Sequence, residues 1–276
     1  MINKLRWGSI FAVASLLLAS STAFGQITIV GSKHDLTSGG TGQSTTGVTD
    51  QVCVFCHTPH GADIAAPVPL WNKVLGDGGA RFTRYSTLAT PSFDSAEAPV
   101  GSVSLACLSC HDGTQAMDVV LNIPGSGGYN AAGAQIDPAL IGQMTGEPVP
   151  MLSEDLSNDH PISMQYGGGG ALAGDPDGTF AGTLGDTDFN NPEKATLNGQ
   201  PIWWVDSASG SAGVREKTDM LLYTRNEATV AGGQQPFVEC GSCHDPHNSD
   251  DAAGSQVAFL RTSNAASAVC TACHTK

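Results

Sequence analysis

The chain is poor in basic residues, poor in aromatics, and has no cysteine to spare. Only 12 Lys and Arg stand against 26 Asp and Glu, a formal net charge of −14. A surface of that sign repels nucleic acid and anionic lipid, so neither is an expected partner. It suits cationic partners, metal ions or a hydrated existence outside the cell, and it also serves solubility alone. Aromatics are 6% of the residues, against 34 glycines and 15 prolines, so the polypeptide is not expected to bury a generous core by itself. The apolar run Ile10–Ala19 is too short to span a bilayer, and no membrane insertion is expected.

That run does fit an export signal. Lys4 and Arg6 precede it, and Ala23 and Gly25 are small residues before a cut ahead of Gln26. Residues 1–25 are therefore read as a signal peptide and 26–276 as one domain. The cut leaves 10 basic residues against 26 acidic ones, a net charge of −16. The expected location is exported, at the cell surface or outside the cell, with the periplasm as the alternative.

All eight cysteines fall in one five-residue word, repeated four times. The copies are Cys53-Val-Phe-Cys56-His57, Cys107-Leu-Ser-Cys110-His111, Cys240-Gly-Ser-Cys243-His244 and Cys270-Thr-Ala-Cys273-His274. A disulfide framework has no reason to follow each pair with histidine. Zinc sites use such pairs too, two to a site, and a thioredoxin-like site needs only one, in a βαβ setting. Cys-x-x-Cys-His is the attachment signature of c-type haem, in which both thiols bond the porphyrin and the histidine binds iron. Four haem c groups are the expected cofactors. Export agrees, because bacteria attach haem outside the cytoplasmic membrane.

Four further histidines, His34, His60, His160 and His247, match the four motif histidines in number. The expected ligation is two imidazoles per iron, with His57, His111, His244 and His274 proximal and the other four distal. Iron held so has no open position and relays electrons rather than binding substrate, so the chain is not expected to be an enzyme. His60 and His247 lie three residues beyond His57 and His244, across Pro59 and Pro246. That tether is too short to reach round the same haem, so each is expected to bind a different one. His34 is expected to serve the first haem, being nearest in the chain. Asp35 and Asp159 beside His34 and His160 are candidates for orienting the rings, or for turns.

The words start 54, 133 and 30 residues apart, an N-terminal and a C-terminal pair. Between them, Gly125–Gly128, Gly167–Gly170 and Gly174–Gly178 read as loops within a glycine-rich segment of about 125–200. Pro201–Val205 and Asp219–Thr224 read as strands that pair as a hairpin. Trp203 and Trp204 are expected to shield haem or fill the core. The haem words should begin short helices. The expected fold is mostly coil with short helices and a few β-strands wrapped around a row of four haems, unable to fold without them.

The series Ser32-Lys-His34-Asp-Leu, Cys53–His60, Pro69-Leu-Trp-Asn72, Cys107–Gly113, Asn158-Asp-His160-Pro-Ile-Ser163 and Cys240–His247 resembles the multihaem c-type cytochromes of metal-reducing bacteria. It covers nearly the whole of 26–276, and it is similar in particular to their tetrahaem extracellular filament, or nanowire, members. The resemblance implies electron transfer out of the cell to metal oxides or electrodes, redox partner cytochromes, and head-to-tail contact with other copies. It further implies that His60 binds a haem of a neighbouring subunit. The alternatives are a soluble periplasmic shuttle and, less favoured for want of an open iron, a multihaem reductase.

Overall fold

The computed structural model describes residues 29–275, apart from 43–44, 46–48, 77, 89, 91–93, 124–128, 130–131, 135–141, 145–149, 171–177, 180–183, 209, 231–232 and 249–258. The expected signal peptide, Gly125–Gly128 and most of Gly174–Gly178 lie outside the described residues.

The organising element is a six-stranded antiparallel sheet rather than coil. Its strands are β1 (Met164–Gln165), β2 (Gly178–Thr179), β3 (Glu193–Leu197), β4 (Gln200–Val205), β5 (Met220–Asn226) and β6 (Gln234–Val238), in the order β1-β6-β5-β4-β3-β2. Among the described residues, three α-helices accompany it: α1 (Ser102–His111), α2 (Cys240–Cys243) and α3 (Ala268–Cys273). The expected mostly-coil fold is corrected accordingly. Its error was to judge the core from average composition, when the apolar residues are concentrated in the strands and beside the cysteine words.

The β3–β4 hairpin turns at Asn198-Gly199, with φ of 49° and 78°. Two central residues with positive φ twist in the sense of the flanking strands, which is why Asn-Gly closes tight hairpins. The register runs Leu197↔Gln200 to Glu193↔Trp204. The two expected strands are neighbours, Trp203 facing Leu222 and Val205 facing Met220, although the connection between them is long.

Two apolar clusters make most of the core. Trp71, Phe82, Tyr85, Val100, Leu105, Leu108, Leu156 and Met164 pack together, with Cys56 at their edge. Tyr166, Leu184, Trp203, Val205, Met220, Leu222 and Ala272 form the second, edged by Cys243 and Cys273. The motif cysteines thus sit on the margin of packed protein. Trp203, 1% exposed, is central to the second cluster, so Trp203→Ala should cost about 3–5 kcal/mol. A urea midpoint lowered in proportion checks this; an unchanged midpoint would mean that the cluster collapses around the gap.

Candidate functional site

Three of the four words make one helical turn that then releases its histidine, while His111 is the last residue of α1. The histidine N–H bonds the carbonyl of the first cysteine in three words: His57 to Cys53 at 2.8 Å, His244 to Cys240 at 3.0 Å and His274 to Cys270 at 2.9 Å. The first word is a bare turn, the second closes α1 instead of beginning it, and the last two make up α2 and the end of α3. A short stretch of chain then meets each released histidine: Trp71 at His57, Leu260 at His244 and Phe189 at His274, and Leu152, whose N–H bonds the His111 carbonyl at 2.7 Å.

Asn72 fastens the first word. Its backbone N–H bonds the Cys56 carbonyl at 2.9 Å, while its side-chain amide donates to Val54 and Asn122 carbonyls at 2.7 and 3.0 Å. The third word is fastened by charge. Buried Glu239, just before Cys240, accepts from Ser104 at 2.6 Å, Ser163 at 3.1 Å and Arg225 at 2.9 Å.

The words adjoin in sequence order. Cys56 and Cys110 lie within electrostatic reach of each other, the Cys107 and Cys240 thiols share a hydrogen bond, and Cys243 feels Cys270. Burial pushes Cys56 and Cys273 up to about 12 and Cys243 up to about 11, whereas the hydrogen bond with Cys107 lowers Cys240.

The histidines come together in pairs. His57 faces His247 with ring centroids 6.3 Å apart, His111 faces His34 at 6.1 Å, and His274 faces His160 at 6.4 Å. Each pair joins a motif histidine to one from elsewhere in the chain. His60 and His244 stand outside these three pairs, and His60 is exposed. His34 therefore meets the second word rather than the first: the contact is set by the fold bringing 29–35 against 244–247, not by nearness in the chain. His247 faces the first word's histidine.

The rings are held from behind. Nδ1 of His57 lies 2.8 Å from the Pro69 carbonyl, that of His111 2.5 Å from Pro150, and that of His160 3.1 Å from Pro161. The His34 ring donates to the Pro246 carbonyl, and His247 Nδ1 lies 3.4 Å from Asp245. A ring tied at Nδ1 keeps the proton there and presents the Nε2 lone pair, as metal-ligating histidines do. Burial favours the neutral ring as well, holding His111 and His160 low and His34 at about 4, while Asp245 raises His247. Phe259 stacks on His34 at 4.1 Å and Phe189 leans on His274 at 4.4 Å. Asp35 is a turn residue: its carboxylate accepts from Gly31 and Thr37.

The proline carbonyls, Asn72, Glu239 and the two phenylalanines escape a reading of the sequence. Only Pro69 and Asn72 carry a signal there, as members of the Pro-Leu-Trp-Asn word.

A metal bound to two imidazoles in line has bonds of roughly 2 Å to nitrogen, with about 1 Å more to each ring centre, which spaces the centroids by about 6 Å. The three pairs have that spacing. Trp71 Nε1, beside His57, is buried with no acceptor among the described residues. Such an orphaned donor asks for an acceptor that the protein does not supply. A planar group with metal at its centre and carboxylates on its rim fits both observations.

Comparison with known proteins adds no kin: no protein-family model matches the chain, and no curated protein matches it. The expected membership of the multihaem c-type cytochromes is corrected on that finding, and tetrahaem cytochrome and nanowire filament fall away as family labels. Among the described residues, no group of three or more His, Cys, Asp and Glu is arranged to hold a metal ion. The expectations of four haem c groups and of electron transfer through them thus lack both kinship and a metal cage made by the protein. They are corrected to a coarser statement: four Cys-x-x-Cys-His words, three of whose histidines face a second imidazole. Paired imidazoles are one ligand short of such a cage, so the chemistry of the site rests on the pairs and the thiols themselves.

Proposed function

We propose that the cysteines of the four words, Cys53 and Cys56, Cys107 and Cys110, Cys240 and Cys243, Cys270 and Cys273, are attachment points for iron porphyrin, and that the paired histidines would hold its iron. The observation that carries this is the spacing of the three pairs, in which His34, His57, His111, His160 and His247 are tied back through the ring. When bound, such a group supplies reversible one-electron chemistry at iron. The protein's part is to anchor through the thiols, to hold both rings in line and to keep substrate off the metal, which suits a relay and not an enzyme. The adjoining cysteines of successive words suit a row of centres close enough to exchange electrons. An export signal in residues 1–25 would bring the chain to where such attachment takes place.

The test uses the full chain matured in a bacterium that attaches haem. Intact mass should exceed the polypeptide by four porphyrins, and His247→Ala should convert one of the four from a six-coordinate to a five-coordinate visible spectrum while keeping the mass. A mature chain without added mass, or one isolated with zinc, would sink the reading.

A further inference from the structure

Lys73 is unusual among the basic residues in being 1% exposed. It follows Asn72, the residue that fastens the first word, and its long side chain crosses to the loop after the second. There Nζ donates to the carbonyls of Ala116 at 2.8 Å, Met117 at 3.2 Å and Val119 at 2.8 Å. Three carbonyls can only accept, so three donors are required, and only the protonated ammonium has three. The charge is therefore fixed by geometry inside the protein. Burial lowers the affinity of Lys73 for its proton, while Cys110, Cys56 and Asp118 raise it. In return, Lys73 eases ionisation of both Cys56 and Cys110, which puts the ammonium within reach of the first two words together.

We infer that Lys73 is a positioning residue that also sets the redox potentials of the two groups held at Cys53/Cys56 and Cys107/Cys110, an assignment that rests on the proposed function above. A buried positive charge acts through little screening. It stabilises the form of a nearby centre that holds one more electron, and so raises that centre's potential. The same three hydrogen bonds clamp the 116–119 loop against the first word and keep the charge in place.

The experiment is a redox titration of the haem-loaded full chain, followed by its visible spectrum. K73M should move two of the four centres to lower potential and leave the other two unchanged. K73R, which keeps the charge, should restore the wild-type pattern. Should K73M fail to fold, K73Q serves in its place, since its amide still donates to the loop while carrying no charge. Wild-type potentials in a fully loaded K73M or K73Q overturn the assignment, as does an equal displacement of all four centres in K73M and K73R alike. A wild-type chain that carries no porphyrin overturns the proposed function itself, a failure read from mass before any potential is measured.

Discussion

Alanine at His60 is expected to abolish end-to-end assembly of the protein while leaving every attached group in place. His60 is exposed, lies on the turn after the first word and belongs to none of the three imidazole pairs. We propose, as an extension of the porphyrin reading, that it reaches an iron held by the next copy. A contact in which one face of a protomer meets a different face of its neighbour does not close, and it propagates as a fibre. The segment that follows is unusually apolar for a free surface, with Ile64 fully exposed and Leu70 and Val74 more than half exposed; such exposed apolar residues suit an interface. Electron microscopy of the haem-loaded protein shed from cells should show filaments for the wild type and single particles for His60→Ala. Filaments of normal length from the variant would remove His60 from the assembly. Single particles of the wild type, confined to the periplasm, would favour a shuttle instead.

Arg225→Met should lower stability by about 3–5 kcal/mol, the usual result of leaving a buried charge without its partner. The Glu239 side chain is fully enclosed and its ion pair with Arg225 spans 2.9 Å. Arg225 also donates to the Pro99 carbonyl at 2.9 Å, pairs with Glu227 at 2.6 Å and lies over the Phe237 ring. Burial already pushes the Glu239 carboxyl above its ordinary range, so without the guanidinium it would take up a proton or draw in water, and the turn carrying Cys240 would loosen. Adding Glu239→Gln to Arg225→Met should recover much of the loss, because an amide tolerates the site. Urea midpoints of the two variants measure both effects. A double variant no more stable than the single one would mean that Arg225 acts through Pro99 and Phe237 instead.

Much of this arrangement was legible locally and little of it globally. The cysteine words stand out in any reading, and the apolar runs at Pro201–Val205 and Asp219–Thr224 mark two real strands because their alternation is a property of consecutive residues. Asn198-Gly199 marks a tight turn in equally local terms, flanked by strand-forming sequence. What composition hid was the sheet: glycine and proline are plentiful, yet they lie mostly between the strands. The pairing of histidines could not be read at all. It depends on the chain after β6 returning His247 to His57, and on 29–35 settling beside Pro246, contacts made between residues more than 180 positions apart. Proximity in sequence therefore misassigned His34.

One junction ties the sheet to the site in a way that resembles a ruler. β6 ends at Val238 and α2 begins at Cys240, with Glu239 alone between them. The pairing of Tyr223 with Phe237 and of Met164 with Val238 therefore decides where the third word falls. Sliding β6 by one residue would turn Phe237 and Gln235, both now buried, to the other face and put Pro236 and Val238 in their place, and would shift Cys240 by roughly 3 Å along the strand. That is enough to part its thiol from Cys107. The spacing of the second and third words is thus measured out by hydrogen bonds in the sheet, and an error in strand pairing would be read out as a gap between the Cys107 and Cys240 thiols.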